Sequence, residues 1–223
     1  MEKIRAVYER MRGLLPMAMY TIVYLLGFSL LERRRTVHYT EIHMWLDDRI
    51  PFAEIFVIPY FLWFAFVVVA VLYLYWFDRK NYDRTATMLY IGMTVFLVVS
   101  YLFPNIQYLR PHSMPRHNVL TMLVSYLYRT DTSTNVFPSI HVYNTLCCMA
   151  GIFRSRHHIA QNKWVKAGTG LLGVSIILST MFLKQHSVVD VLGAIAMYMP
   201  LHVLVFNYDV VIASRRKRAL LQR

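Results

Sequence analysis

The stretch IFVIPYFLWFAFVVVAVLYLYWF, Ile55 to Phe77, carries no Asp, Glu, Lys or Arg. As a helix it matches the hydrocarbon layer of a bilayer, which about 20 residues suffice to cross. Working outward from it, five further runs are free of the same four residue types: Leu14 to Leu31, Thr85 to Phe103, Pro138 to Phe153, Ala167 to Leu183 and Val191 to Tyr208. Pro138 to Phe153 is the shortest, and Asn135 to Phe137 can extend it. Hydrophobic residues make up 57% of the 223-residue chain and the mean hydropathy is +0.40. Soluble domains hold about 45–50%. The expected fold is all-α, a polytopic membrane bundle of six transmembrane helices forming one domain over residues 1–223, with no internal repeat or low-complexity linker.

Lys3, Arg5, Arg10 and Arg12 precede the first run as they would in a secretory signal. That run is too long for one, and Glu32-Arg33-Arg34-Arg35 stands where a cleavage site would lie, so an uncleaved anchor is expected. Cys147 and Cys148, the only cysteines, are adjacent in the middle of the fourth run. They read as small buried groups, with no disulfide framework. The formal charge of +12 does not imply nucleic acid, because the basic residues sit in short loops and at the two termini. With the N-terminus inside, cytoplasmic segments hold sixteen Lys and Arg and external ones eight; Arg33 to Arg35 are the exception. The expectation is a multi-pass protein of the cell membrane with both termini cytoplasmic. Arg215-Arg216-Lys217-Arg218 would then face anionic membrane lipids.

Three segments fall outside in this topology: Glu32 to Glu54, expected along the interface; Pro104 to Phe137, with the apolar stretch Val119 to Tyr128; and a tight turn at Lys184 to Ser187. Chemistry concentrates beside them. Pro138 suits the first turn of a helix capped by Thr134 or Asn135, which puts Ser139 and His141 at its N-terminus. Free N–H groups and the dipole favour an anion such as phosphate there, although Ser139 also reads as a helix cap and His141 as a packed side chain. In His186-Ser187-Val188-Val189-Asp190, a spacing of four lets a carboxylate fix one imidazole nitrogen and present the other as base or nucleophile. His43-Met44-Trp45-Leu46-Asp47 has the same spacing, so at least one copy is expected to be incidental. His141 opens the fourth run, His186 closes the fifth, and Arg110 arrives on the same side, able to fork onto phosphate. Asp190, within the membrane start of the sixth run, needs a partner, and His186 is the nearest. No third ligand with recognisable spacing accompanies His186 and Asp190, so no metal and no cofactor are expected.

In order and spacing, Arg110-Pro111, then Pro138-Ser139-Ile140-His141, then Ser179-x6-His186-x3-Asp190 is similar to the type 2 phosphatidic-acid phosphatase superfamily, which includes inositol phosphorylceramide synthase-like lipid phosphotransferases. The stretch from Trp45 to Phe52 and that from Tyr60 to Trp63 resemble the second-span entry of that branch. The resemblance implies a catalytic core over residues 104–206. It implies His186 as the nucleophile that forms a phosphohistidine, Asp190 as its orienting carboxylate, His141 as general acid, and Arg110 and Ser139 as phosphate-binding groups. The chain departs from the pattern at Phe103, where the family has a lysine; at Thr180, where it has an arginine; and at Ile140, where it has a glycine. Two phosphate-binding cations are thereby missing, and Lys184 is the best placed substitute, ahead of Arg116. Lys184 reads equally as a lysine snorkelling at a helix end.

The chemistry requires one imidazole neutral and the other protonated, hence a bell-shaped rate profile near neutrality. The leading function is hydrolysis of a lipid phosphate or polyprenyl diphosphate at the outer leaflet. The runner-up transfers a phosphoryl headgroup to an alcohol such as inositol or a ceramide. A transporter or noncatalytic scaffold is the reading from a different class, disfavoured by the absence of an inverted repeat.

Overall fold

The computed structural model describes residues 13–34 and 37–221, with side chains described through Phe206. Its elements are α1 (Leu15–Glu32), β1 (Thr40–Glu41), a 3₁₀ turn (Glu54–Phe56), α2 (Val57–Phe77), α3 (Arg79–Leu102), β2 (Asn105–Ile106), α4 (Val119–Thr130), α5 (Ile140–Arg154), α6 (His158–Gln161), α7 (Lys163–Phe182) and α8 (Val188–Leu221). The regular structure of the described residues is helical apart from one two-stranded parallel pairing, Thr40 with Asn105 and Glu41 with Ile106, and an isolated antiparallel bridge between Ile106 and Thr134. Among the described residues five helices are long and apolar enough to cross a membrane: Leu15–Glu32, Glu54–Phe77, Arg79–Leu102, Lys163–Phe182 and Val188–Phe206.

The expected fourth span differs from these. Helix α5 has 15 residues, so it rises only about 22 Å. It packs against α2, α3, α7 and α8. Nine of its residues are buried, so its apolarity serves protein contacts, whereas α1 leaves Met19, Ile22, Val23, Leu26 and Leu30 exposed. The principal core gathers Met88 and Leu89 of α3, Val142, Tyr143 and Cys147 of α5, and Val191 and Ala194 of α8. Gly92 permits the closest approach: a Cβ there would meet Tyr143 Cε1 at 2.0 Å. The Tyr143 hydroxyl donates to Met88 O at 2.8 Å.

Helix boundaries follow caps more than the edges of apolar runs. Helix α3 starts at Arg79, six residues before the apolar run, because Asp78 accepts from Asn81 N at 3.2 Å. Residues 79–84, which lie outside the apolar run, are thus the opening turns of the helix. Helix α5 is capped by Ser139, not by Thr134 or Asn135: its Oγ accepts from Val142 N at 3.4 Å. Val119 to Thr130 folds as α4 behind a capping box of Asn118 and Thr121. The basic cluster at Arg215 to Arg218 falls beyond the described side chains.

One end of the bundle is held together by connecting segments. Ala53 N donates to Phe182 O at 3.1 Å, and Asn135 N donates to Asn105 O at 2.6 Å. Asn105 Oδ1 accepts from Val136 N at 2.7 Å and Phe137 N at 2.9 Å. The Glu32 carboxylate, at the end of α1, accepts from the hydroxyls of Thr132 and Thr134 and from Asn135 Nδ2. Together these bonds fix the strand of chain that enters α5 at Ser139.

Candidate active site

The turn between α7 and α8 creates the site. After Phe182 the chain passes through Lys184 with a φ of 54°. Gln185 N and His186 N then both donate to Thr180 O, at 2.9 and 3.0 Å. Ser187 caps α8, its Oγ accepting from Val189 N at 3.1 Å, while Asp190 Oδ2 accepts from Ser187 N at 2.9 Å. Asp190 thus supplies the return bond of a capping box, while the Ser187 hydroxyl takes the amide one residue earlier than in that motif. The same Oδ2 lies 3.2 Å from His186 Nδ1. The spacing of four therefore works through the cap, since His186 precedes the helix and does not share a face with Asp190. Asp190 is fully buried and His186 is 7% exposed.

His186 Nε2 points at the other motif, 3.4 Å from His141 Nδ1. Ser139 N donates to Asp190 O at 3.1 Å and ties the start of α5 directly to α8. The rings of Tyr60 and Trp63 pack on His141 with centroids 4.9 and 4.3 Å away. Trp63 Nε1 donates to His141 O at 3.1 Å. Asp190, His186 and His141 thus stand in line, with successive contacts of 3.2 and 3.4 Å between groups able to exchange protons. With Nδ1–H donated to Asp190, the His186 Nε2 lone pair is turned toward His141 and is the nitrogen able to act as base or nucleophile. Both rings border a cavity of about 430 Å³, lined also by Tyr60, Trp63, Asp131 and Gln185.

The expected phosphate-binding groups stand around these histidines in other roles. Ser139 is fully buried and its hydroxyl caps α5. Arg110 reaches the expected end of the bundle, but Nη1 donates to Tyr128 O and Asp131 O at 3.2 and 2.9 Å. Its Nη2 donates to Thr132 O at 2.8 Å and to Gln185 Oε1. Its guanidinium lies 4.6 Å from the Tyr128 ring centroid. Burial draws Arg110 below its ordinary pKa, with Asp131 opposing. Lys184 Nζ donates to Asp47 O at 2.6 Å, and burial lowers its pKa against the pull of Asp47 and Asp48. Arg116 pairs with Glu54 at 2.8 Å. Two buried N–H donors lack a partner among the described residues: Arg110 Nε and Gln185 Nε2. Their cost is recovered if an anion accepts from them. Among the described residues no group of three or more His, Cys, Asp or Glu is placed to hold a metal ion.

Three further residues matter here that the sequence did not single out as functional. Asp47 is 2% exposed, and its carboxylate accepts from Met44 N (2.7 Å), Ser187 Oγ (2.6 Å) and Val188 N (2.8 Å). It thus fixes the start of α8 from a distant loop. His43 does not pair with it, contacting the exposed Asp48 at 3.0 Å instead. Asp131 lines the cavity and accepts from the Tyr60 hydroxyl at 3.0 Å. Burial pushes its carboxyl pKa up; His186, Tyr60 and Arg110 pull the other way. Gln185 joins Arg110 to the turn. Only Asp47 had a signal in the sequence, as half of the duplicated His-x3-Asp spacing.

No curated protein and no solved structure matches the chain. A family model described as the PAP2 superfamily matches residues 26–204, from the second half of α1 to the membrane part of α8, and so takes in both histidines, Asp190 and Arg110. The inositol phosphorylceramide synthase-like subgroup is not resolved by that match. Membership suggests a phosphatase-type membrane enzyme, and by the extent of the match the chain belongs to the PAP2 superfamily.

Proposed function

We propose that the protein is a membrane-embedded phosphatase that cleaves a lipid phosphate or polyprenyl diphosphate through a phosphohistidine on His186. The carrying observation is the Asp190–His186–His141 alignment, with contacts of 3.2 and 3.4 Å, at the wall of a cavity. In this reaction the Nε2 lone pair of His186 attacks phosphorus and an N–P bond forms. The P–O bond to the lipid breaks, its electron pair leaves on oxygen, and His141 supplies the proton. Water then attacks phosphorus and gives its proton to His141. The P–N bond breaks, returning the pair to Nε2.

Between facing nitrogens 3.4 Å apart there is no room for a phosphoryl group. Substrate therefore enters from the cavity side and breaks the His–His contact. The unpartnered Arg110 Nε and Gln185 Nε2 are the donors we assign to phosphate oxygens, with Lys184 and the N-terminal amides of α5 adding positive potential. We place six crossings, α5 being the short buried one, with both termini cytoplasmic and the histidines outside. The excess of Lys and Arg in the opposite loops supports this orientation. An impermeant thiol reagent should label His112→Cys only from outside.

The test is phosphate release by purified protein from a panel of lipid monophosphates and diphosphates, with trapping of the covalent intermediate. Wild type should release phosphate and, on rapid quenching, carry a phosphoryl mass on His186; His141→Ala should slow release, and His186→Ala should show neither release nor the added mass. Full hydrolysis by His186→Ala refutes the nucleophile. Label passing to a lipid alcohol instead of water would make the enzyme a phosphotransferase.

A further inference from the structure

Asn144 stands three residues after His141 in α5, on the same helix face and about 4.5 Å further along the axis, away from the end that holds the histidines. It is 4% exposed, and Oδ1 is buried without a hydrogen-bond partner among the described residues. A second cavity, of about 440 Å³, opens against it. The walls are otherwise nearly all apolar, including Met17 and Ala18 of α1, Val67 and Val71 of α2, and Leu89 and Met93 of α3. This groove shares Tyr24, Leu25, Trp63, Phe64 and Ile140 with the histidine cavity, so the two adjoin along these side chains. An orphaned amide oxygen in an apolar groove is costly unless a ligand completes it.

We propose that Asn144 is a specificity-determining residue that selects lipids carrying a hydrogen-bond donor, a hydroxyl or secondary amide, a few bonds from the phosphate. This rests on the lipid-phosphate reading above. With the phosphate beside His186 and His141, the chain runs down the groove and its linker region comes level with Asn144. A carboxamide presents both an acceptor and a donor. A linker hydroxyl or amide N–H meets the oxygen. A linker built only of esters offers acceptors alone and leaves the oxygen orphaned, and a polyprenyl chain offers nothing.

The experiment measures equilibrium binding to the full-length protein in nanodiscs, with His186→Ala present to stop turnover. The probes are ceramide 1-phosphate, whose linker carries a hydroxyl and an amide N–H, and phosphatidic acid of matched chains, whose linker is two esters. The expected result is about tenfold tighter binding of ceramide 1-phosphate, abolished by Asn144→Leu. A ceramide 1-phosphate with its 3-hydroxyl removed and its amide methylated should lose the same factor on unchanged Asn144. Without lipid, Asn144→Leu should raise the thermal midpoint, because an unpaired amide gives way to an apolar side chain; a lowered midpoint would mark Asn144 as a structural residue and overturn the proposal. Equal binding of the two lipids, or discrimination that survives Asn144→Leu, overturns it as well. Absence of phosphate release by wild type, with discrimination intact, would instead refute the phosphatase reading alone.

Discussion

Replacing Asp47 tests whether a loop far from the histidines in sequence holds their geometry. Its carboxylate accepts from Ser187 Oγ at 2.6 Å and Val188 N at 2.8 Å, and Ser187 is fully buried. In Asp47→Ala the Ser187 hydroxyl and the first amide of α8 both lose a charged acceptor. Bonds to charged groups contribute about 1.5–3 kcal/mol each, and a carboxylate at a helix N-terminus about 0.3–1 kcal/mol more. Relief of carboxylate desolvation offsets part of this, leaving a net loss of about 3 kcal/mol. Asp47→Asn keeps the shape and one acceptor, so its loss should be about half. Because His186 directly precedes the cap, a shift of about 1 Å at Ser187 should lower turnover by about 100-fold. Reversible detergent unfolding followed by circular dichroism reads the first effect and phosphate release the second. His43→Ala is the control, with the same spacing in sequence but a contact only to exposed Asp48, and should change neither. A stability change below about 0.5 kcal/mol in Asp47→Ala would refute the reasoning, since that is the range of an uninvolved surface position.

Gly193→Ala should destabilise by about 1–3 kcal/mol and slow phosphate release, because a Cβ would meet Phe137 Cε2 at 2.4 Å and press on the chain entering α5; unchanged unfolding and kinetics would count against this packing. Asp131 has its carboxyl pKa raised by burial, so its favourable share of stability is present below the ordinary carboxylate pKa and lost as pH rises through the folded value. Asp131→Asn should accordingly flatten the pH dependence of stability from about pH 4 upward, and an unaltered profile in unfolding titrations would reject it. Lys184→Gly should keep the turn, since φ is 54° there, while loss of the ammonium raises KM for the lipid phosphate; an unchanged KM would remove Lys184 from phosphate binding.

The all-helical, membrane-spanning character of the chain was legible in runs such as Ile55 to Phe77, because lipid imposes an unbroken apolar stretch that composition alone reveals. The pairing of His186 with Asp190 and the meeting of His141 with His186 were also legible, since motifs at opposite ends of consecutive helices must finish at one level. The start of α3 was not: Asp78 sets it by a side-chain cap at 3.2 Å, a local balance that hydropathy does not register, whereas the cap by Ser139 was one of two readings open in the sequence. Nor could sequence separate Asp47 from His43, because the contacts of Asp47 lie 140 and 141 residues away. Tertiary structure likewise decided that the Nη groups of Arg110 bind loop carbonyls and Gln185, and that Asn144 keeps an unpartnered amide oxygen beside an apolar groove. Residue type fixes what a side chain can bind, whereas which of several competing partners it meets depends on how distant segments pack.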